Sequence, residues 1–241
     1  MTPEVEELVA KLQANDSTSK EFRWDVHWSN DTKWTLGGGD DTQALEQLVK
    51  ALRVNNNLEV LSMEGNYICD DGVKMMMEFF DNNTTLQHLN LSYNKIGDDG
   101  IKALVKSLRD SPSLHTLNLK ENSFEIESVK LIANILREST HLKHIDLAHC
   151  HIDNEGVKVI ADALSGNSTL EYLGLDNNEI GDEGVKLLAG VLGSDSSALK
   201  KIKLGDNNFG DEGKKYLTDA LDGDKSSTIL DFEKLSLEEK K

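Results

Sequence analysis

The sequence lacks a long apolar run, and it lacks positive charge. No stretch approaches the roughly 18 consecutive apolar residues that a membrane-spanning helix needs, so no membrane span is expected. Lys and Arg number 26 against 43 Asp and Glu, which gives a formal net charge of −17. Because nucleic acids and anionic membrane surfaces attract basic proteins, neither is expected as a partner.

Cysteine is also scarce. The two cysteines, Cys69 and Cys150, lie too far apart in the sequence pattern to form a bridge, which favours a reducing compartment. The N-terminal segment, residues 1–12, is acidic and amphipathic, unlike a secretory signal. We therefore expect a cytoplasmic protein. A mature chain whose signal has been removed is the alternative.

What the sequence does contain is a repeat. Similar segments begin at Leu58, Leu86, Leu114, Leu142, Leu170 and Leu199. The first four steps are 28 residues long and the last is 29 residues long. A fixed period in this range is typical of a leucine-rich repeat solenoid.

Each repeat has two halves with different periodicity. The first half reads L-x-x-L-x-L-x-x-N, and its alternation predicts a short strand with Leu173 and Leu175 facing inward in the fifth repeat. The second half carries apolar residues at helical spacing, such as Val185, Leu188 and Leu192. Strand and helix in alternation predict a parallel sheet lined by helices, with the strands on the concave side and the helices on the convex side.

Two polar positions recur in this pattern. The asparagines Asn66, Asn94, Asn122, Asn178 and Asn207 are expected to form a stacked row that satisfies backbone groups in neighbouring turns, with Cys150 as a structural substitute in the fourth repeat. Acidic residues begin most helical segments, and the first of each pair is expected to be a helix N-cap. These expected caps are Asp70, Asp98, Asp182 and Asp211.

The motif N-x-I-G-D-E-G-x-x-x-L, best matched at 178–188 and 94–104, resembles the ribonuclease-inhibitor-like leucine-rich repeats. The resemblance covers about residues 58–221 and implies an α/β horseshoe with a protein-binding role. Proteins with such repeats include cytosolic inhibitors, GTPase-activating proteins of the Ran type and the tropomodulin C-terminal domain. The resemblance therefore implies two alternatives, a tropomodulin-like protein that binds actin and a regulator of a small GTPase.

The chain is expected to form one continuous domain with three segments. Residues 1–57 form an N-terminal helix and an atypical capping repeat, 58–228 form six repeats, and 229–241 form a C-terminal cap and charged tail. Phe22, Trp24, Val26 and Trp28 alternate with polar residues and predict the first strand, whose aromatic side chains cover the open end of the solenoid. The alternative is that Trp24, Trp28 or Trp34 forms an exposed binding hot spot.

The concave strand face carries the residues that differ between repeats, and it is the expected binding site for a partner protein. The candidate residues are His88, Asn90, Ser92, Tyr93, Asn118, Lys120, His144, Asp146, His149, Tyr172, Asp176, Lys201 and Lys203. The alternative is that these are only solvated sheet residues. The protein itself is expected to be a monomer.

No catalytic residue, cofactor or metal is expected. Cys150 should point inward, away from His149 and His151, which argues against a nucleophile–base pair. His88 and His144 belong to strands two apart, roughly 10 Å by strand spacing, too far to share one ion. The acidic loops place apolar residues or glycine where a calcium loop needs its third ligand.

Overall fold

The computed structural model describes residues 3–18, 20–24, 42–109, 111–194, 197–221 and 229–231. It separates into two compact units, Met1–Ser123 and Phe124–Lys241. The predicted organisation, with divisions at 57/58 and 228/229, stays a prediction. Each described helix is too short or too polar to cross a bilayer.

The first unit alternates helices and strands along the chain. Its helices are α1 (Pro3–Gln13), α2 (Thr42–Val54), α3 (Cys69–Asn82) and α4 (Asp98–Leu108), and its strands are β1 (Glu21–Arg23), β2 (Val60–Ser62), β3 (His88–Asn90) and β4 (Thr116–Asn118). The strands pair in parallel and in chain order. Leu61, Leu89 and Leu117 are register partners, so the sheet register follows the 28-residue period of the sequence.

The second unit has the same construction. Its helices are α5 (Ile126–Glu138), α6 (Asn154–Leu164), α7 (Asp182–Leu192) and α8 (Asp211–Leu221), and its strands are β5 (His144–Asp146), β6 (Tyr172–Gly174), β7 (Lys201–Lys203) and β8 (Ile229–Asp231). These strands also pair in parallel in chain order, with Ile145, Leu173 and Ile202 in register. The alternation of parallel strands and helices in both units confirms the predicted α/β repeat fold.

The core of each unit lies between its sheet and its helices. The middle residues of β1 to β7, such as Leu61, Ile145 or Leu173, are at most 1% exposed, and most of the residues beside them along the strand are partly exposed. The helices contribute apolar residues at the predicted spacing, including Ile101 and Leu104 in α4. Full burial of one such side chain stabilises the fold by about 1.5–3 kcal/mol, so the repeated leucines supply much of the driving force.

The buried asparagines form the predicted row. Asn94 Oδ1 accepts from the backbone N–H groups of Asn66 and Ile68, at 3.0 and 3.2 Å. Its Nδ2 donates to the carbonyl oxygens of Met63 and Ser92, at 2.8 and 3.0 Å. Each asparagine thus joins its own turn to the turn of the preceding repeat, and these bonds confirm the prediction.

Cys150 occupies its slot in the manner expected for a structural substitute. It is completely buried, and its Sγ donates to the Ala148 carbonyl oxygen at 3.4 Å. Its backbone N–H donates to Asn178 Oδ1 at 3.0 Å, so it bonds to the asparagine of the following repeat as the asparagines at this position do. The cysteine therefore points inward, as predicted.

The prediction for the helix N-caps is wrong. Gly97 and Gly181 precede α4 and α7, and the acidic residues Asp98 and Asp182 are already helical. Asp70 and Asp211 likewise lie within α3 and α8. The prediction treated each repeat separately, whereas stacked repeats place the start of one helix beside the start of the next.

Side chains at the start of one helix instead cap the helix of the following repeat. Asp182 Oδ1 in α7 accepts from the N–H groups of Gly210 and Gly213, both at 2.8 Å. Asn154 Oδ1 in α6 accepts from Gly181 and Gly184 at 2.8 and 3.1 Å. These bonds satisfy N–H groups that have no partner within their own helix.

The recurrent helix glycine makes this capping possible. A Cβ atom on Gly184 would lie 2.5 Å from Asn154 Oδ1, and one on Gly213 would lie 2.7 Å from Asp182 Oδ1. The glycine is therefore needed for close approach. In the third repeat Ile126 stands where the capping side chain would be, and the following helix uses its own Asp153, which accepts from the Gly156 N–H at 2.9 Å.

The N-terminal aromatic segment is described only in part. Phe22 in β1 is completely buried, and the Trp24 N–H donates to the Ser62 carbonyl oxygen at 2.8 Å. The Trp24 side chain is half-buried. Trp28 and Trp34 lie outside the described residues, so both the aromatic cap and the alternative hot spot stay predictions.

Candidate protein-binding site on the strand faces

The side chains that flank the buried residue of each strand point away from the helices, and we call this surface the strand face of a unit. The first-unit strand face consists of Glu21, Arg23, Val60, Ser62, His88, Asn90, Thr116 and Asn118. The second-unit strand face consists of His144, Asp146, Tyr172, Gly174, Lys201, Lys203 and Asp231. The polar turn residues after each strand adjoin these faces.

A depression of about 340 Å³ lies on the first-unit strand face. Leu61 and Leu89 contribute to its lining among mainly polar side chains. His88 Nδ1 lies 3.0 Å from Thr116 Oγ1, and Asn90 Nδ2 donates to Ser62 Oγ at 3.1 Å. Bonds within the sheet thus hold these polar groups in place.

The turns beside this depression carry bulky residues in a left-handed backbone conformation. Tyr93 has φ 58° and Glu121 has φ 54°, at equivalent points of consecutive repeats. The ammonium of Lys120 lies 5.5 Å from the centre of the Tyr93 ring, within the range of a cation–π contact. These half-buried side chains extend the polar and aromatic surface at one end of the strands.

On the second-unit strand face, Gly174 lets two polar groups converge. In the sheet register Gly174 lies between Asp146 and Lys203. The point where a Cβ atom would stand is 2.6 Å from Asp146 Oδ1 and 3.2 Å from the Tyr172 hydroxyl oxygen. The rings of His144 and Tyr172 meet edge to face, with their centres 6.0 Å apart. A side chain at position 174 would displace this arrangement.

Carboxylates and one lysine interact on the second-unit strand face. Burial raises the pKa of Asp176, an effect opposed by the Gly205 N–H, which donates to its Oδ1 at 2.9 Å, and by Lys203. Burial, followed by the carboxylates of Asp146, Asp176 and Asp231, raises the pKa of Tyr172. The Lys203 ammonium lies 3.9 Å from Asp231 Oδ2.

Comparison with known proteins identifies the repeat. A leucine-rich repeat family model matches residues 54–77, 82–105, 138–161, 166–189 and 196–217. The chain is a leucine-rich repeat protein. A comparison with curated protein sequences finds no match.

Solved structures with a similar fold include another leucine-rich repeat protein. Internalin C2 from Listeria monocytogenes is 17% identical over 93% of this chain and 83% of that chain, with a TM-score of 0.54, and this similarity concerns the fold. Lower TM-scores of 0.42 are found for two further structures. The leiomodin-1 actin-binding site 2 is 19% identical over 73% of this chain and 80% of that chain. The tropomodulin C-terminal domain from Caenorhabditis elegans is 16% identical over 90% of each chain.

Most of the predicted site residues of this leucine-rich repeat protein are at least partly exposed on the strand faces or in the adjoining turns. They are His88, Asn90, Tyr93, Asn118, Lys120, His144, Asp146, His149, Tyr172, Asp176, Lys201 and Lys203. Ser92 is a correction, because it is only 1% exposed. Its N–H and Oγ both donate to Asn90 Oδ1, so it supports the turn from inside and offers nothing to a partner.

Seven residues of the strand faces are absent from the predicted site residues. They are Glu21, Arg23, Val60, Ser62, Thr116, Gly174 and Asp231, and three of these lie in β1 and β8. Glu21 and Arg23 lie in β1, which precedes the first regular motif, and both line the depression. Asp231 lies in β8, after the last regular motif, and is the register partner of Lys203. The alternation around Phe22 did predict β1, but binding candidates were named only within the regular repeats, so Glu21 and Arg23 were left out.

His151 and the Cys150 thiol have different surroundings. His151 Nδ1 lies 3.2 Å from Glu179 Oε1 on the surface, whereas the Cys150 thiol is buried. Within the described ranges, no group of three or more His, Cys, Asp and Glu side chains is arranged to hold a metal ion.

Proposed function

We propose that this leucine-rich repeat protein is a non-catalytic interaction module that binds a partner protein through its strand faces. Leucine-rich repeats suggest a role in protein–protein interaction. Binding through the strand faces is proposed because the buried and the exposed positions of each strand differ in their roles. Buried middle residues such as Leu173 and Ile202 hold the sheet, whereas the partly exposed residues before them, Tyr172 and Lys201, differ from repeat to repeat.

The exposed neighbours are suited to recognition. Tyrosine offers a large, rigid surface with a polar tip, and such residues are common among binding hot spots. The faces also combine lysines with carboxylates, and mixed charge favours specificity and correct orientation more than raw affinity. Large apolar side chains are rare on them, so the surface is compatible with a free, monomeric protein, which we also propose.

The test is a substitution on the second-unit strand face. Affinity capture from the native cells, followed by mass spectrometry, first identifies partners of the wild-type chain. Tyr172→Ala should then weaken binding of the purified partner at least roughly 30-fold, the effect of losing one hot-spot residue, with little change in the melting temperature. The matched control is Tyr216→Ala, the same change on helix α8.

Full binding by the strand-face variant, or equal loss in the control, would contradict the proposal. The actin-binding alternative is tested by a pointed-end elongation assay, and the small-GTPase alternative by GTP hydrolysis. We further propose a cytoplasmic location and function without a cofactor. Cys69 and Cys150 are both free thiols, which is compatible with a reducing compartment.

A further inference from the structure

The Asp146 carboxylate and the Tyr172 hydroxyl approach each other at Gly174 on the second-unit strand face. Other described repeats carry a side chain at the equivalent position, namely Ser62, Asn90, Asn118, Asp146 and Lys203. At Gly174 the space is taken by the Tyr172 hydroxyl and the Asp146 carboxylate, which lean in from two sides. The Tyr172 hydroxyl forms no hydrogen bond with any described residue. A phenol oxygen and a carboxylate, both on partly exposed residues, are thus brought together.

The charges around this point are unbalanced. Asp146, Asp176 and Asp231 are close enough to act together on Tyr172, and Lys203 is the cation that interacts with two of them. Asp146 Oδ1 accepts from the Ala148 N–H, and Asp176 Oδ1 accepts from the Gly205 N–H, so each carboxylate keeps a second oxygen for another donor. Lys201 lies in the neighbouring row, beside Tyr172.

We propose that the second-unit strand face receives a basic segment of the partner protein, with an arginine or lysine side chain seated between Asp146, Asp176 and Tyr172. This inference rests on the proposed function and names the chemistry of its partner. Charge complementarity is the argument, because among the described residues Lys203 is the cation that interacts with two of the three carboxylates, and a further cation would balance them. The flat face of a guanidinium also fits beside an aromatic ring while donating to carboxylate oxygens.

Each contact has a defined role in this arrangement. The Asp146 and Asp176 carboxylates accept hydrogen bonds from the incoming cation, and the Tyr172 hydroxyl oxygen supplies a further acceptor. Gly174 excludes any side chain that would push Asp146 and Tyr172 apart. His144 packs edge-on against the Tyr172 ring and restricts its orientation. A partner segment carrying acidic residues opposite Lys201 and Lys203 is the competing occupant, and the test distinguishes the two.

The experiment is an NMR titration of the full chain with two synthetic peptides, acetyl-Gly-Arg-Gly-Arg-Gly-amide and its counterpart with glutamate in place of arginine. The arginine peptide should produce saturable shifts at the Gly174 and Gly205 amides. Asp146→Asn with Asp176→Asn should weaken its binding roughly five-fold, the effect of losing about two partly exposed ion pairs. Both substitutions keep the oxygen that accepts the backbone N–H groups. Asp162→Asn, the same change on exposed α6, should leave the affinity within about two-fold.

A second variant tests the role of the glycine. Gly174→Asn introduces the residue found at the equivalent positions 90 and 118, so it is compatible with the sheet, and it should abolish the shifts at Gly205. Equal affinity in the Asp146→Asn/Asp176→Asn variant would overturn the inference. So would stronger binding of the glutamate peptide at these amides, or no saturable shift with the arginine peptide.

Failure of this inference is distinguishable from failure of the proposed function. If partner binding is lost in the Tyr172→Ala variant but kept in the Asp146→Asn/Asp176→Asn variant, the strand face binds a partner and the basic segment is refuted. If both variants keep full partner binding, the proposed function fails as well.

Discussion

Asn178 is the residue at which the joining of consecutive repeats is most directly tested. Its Oδ1 accepts from the Cys150 and Ile152 N–H groups, both at 3.0 Å. Its Nδ2 donates to the carbonyl oxygens of Leu147 and Leu175, at 3.0 and 3.1 Å. The side chain is 6% exposed, so water has little access to replace it. Asn178→Ala removes these four bonds and a longer one, 3.3 Å, from Nδ2 to the Asp176 carbonyl oxygen.

The expected loss follows from the groups that are left without partners. A buried N–H group that loses its acceptor costs about 1–3 kcal/mol, and two are orphaned here, while carbonyl oxygens that lose one of two donors cost less. We expect Asn178→Ala to lower the free energy of unfolding by about 3–5 kcal/mol, a large part of the about 5–15 kcal/mol typical of a folded domain.

Urea unfolding followed by far-ultraviolet circular dichroism measures this loss. The matched control is Asn134→Ala on the exposed side of α5, where the side chain accepts from Arg137 at 2.8 Å. The control should change the stability by less than about 0.5 kcal/mol. A loss below about 1 kcal/mol for Asn178→Ala, at an unchanged dependence on urea, would refute the reasoning.

Two further predictions concern α7 and the strand face. Gly184→Ala should destabilise the protein, because its Cβ would lie 2.5 Å from Asn154 Oδ1. Gly190→Ala, whose Cβ would have no neighbour within 4 Å, should stabilise it by about 0.5–1 kcal/mol in the same denaturation assay. The reverse order of stabilities would contradict the proposed role of Asn154 as a cap. Carboxyl NMR should show Asp176 titrating above the usual aspartate range, because burial raises its pKa. A raised carboxyl pKa means that stability falls as pH rises through it, so Asp176→Asn, which still accepts from Gly205, should reduce that fall. A normal pKa for Asp176 would be the opposing result.

Much of the fold was predictable because the same sequence pattern recurs in each repeat. The alternation around Leu173 and the helical spacing from Val185 to Leu192 each specify one element, and the fixed period specifies the register. The asparagine row followed from the need to satisfy buried turn groups. Cys150 fitted the same slot because a thiol can still donate, weakly, to a carbonyl oxygen.

The errors arose where a side chain acts on a neighbouring repeat. Asp182 looks like a cap for its own helix in the sequence, but it caps the helix that begins with Asp211. A local pattern has no information on such contacts, which depend on how the repeats stack. The prediction for Ser92 was wrong for a related reason. Strand alternation predicted a surface position, but Ser92 lies in the turn before Asn94 and is buried there.

The candidate site was predictable in position and not in chemistry. Alternation identified the exposed residues of each strand, including Tyr172 and Lys203. It did not reveal that Gly174 brings Tyr172 and Asp146 together, because their side-chain directions depend on packing across strands. The contribution of Asp231 was also hidden, since β8 has no leucine motif of its own.

The central claim is that a partner protein covers the strand faces. Hydroxyl-radical footprinting of the chain with and without its captured partner tests this directly, because it reports the solvent access of individual tyrosines and histidines. The account predicts a several-fold slower oxidation of Tyr172 and His144 in the complex, with Tyr216 on α8 unchanged. Protection of Tyr216 with Tyr172 and His144 oxidised at their free rates would contradict it.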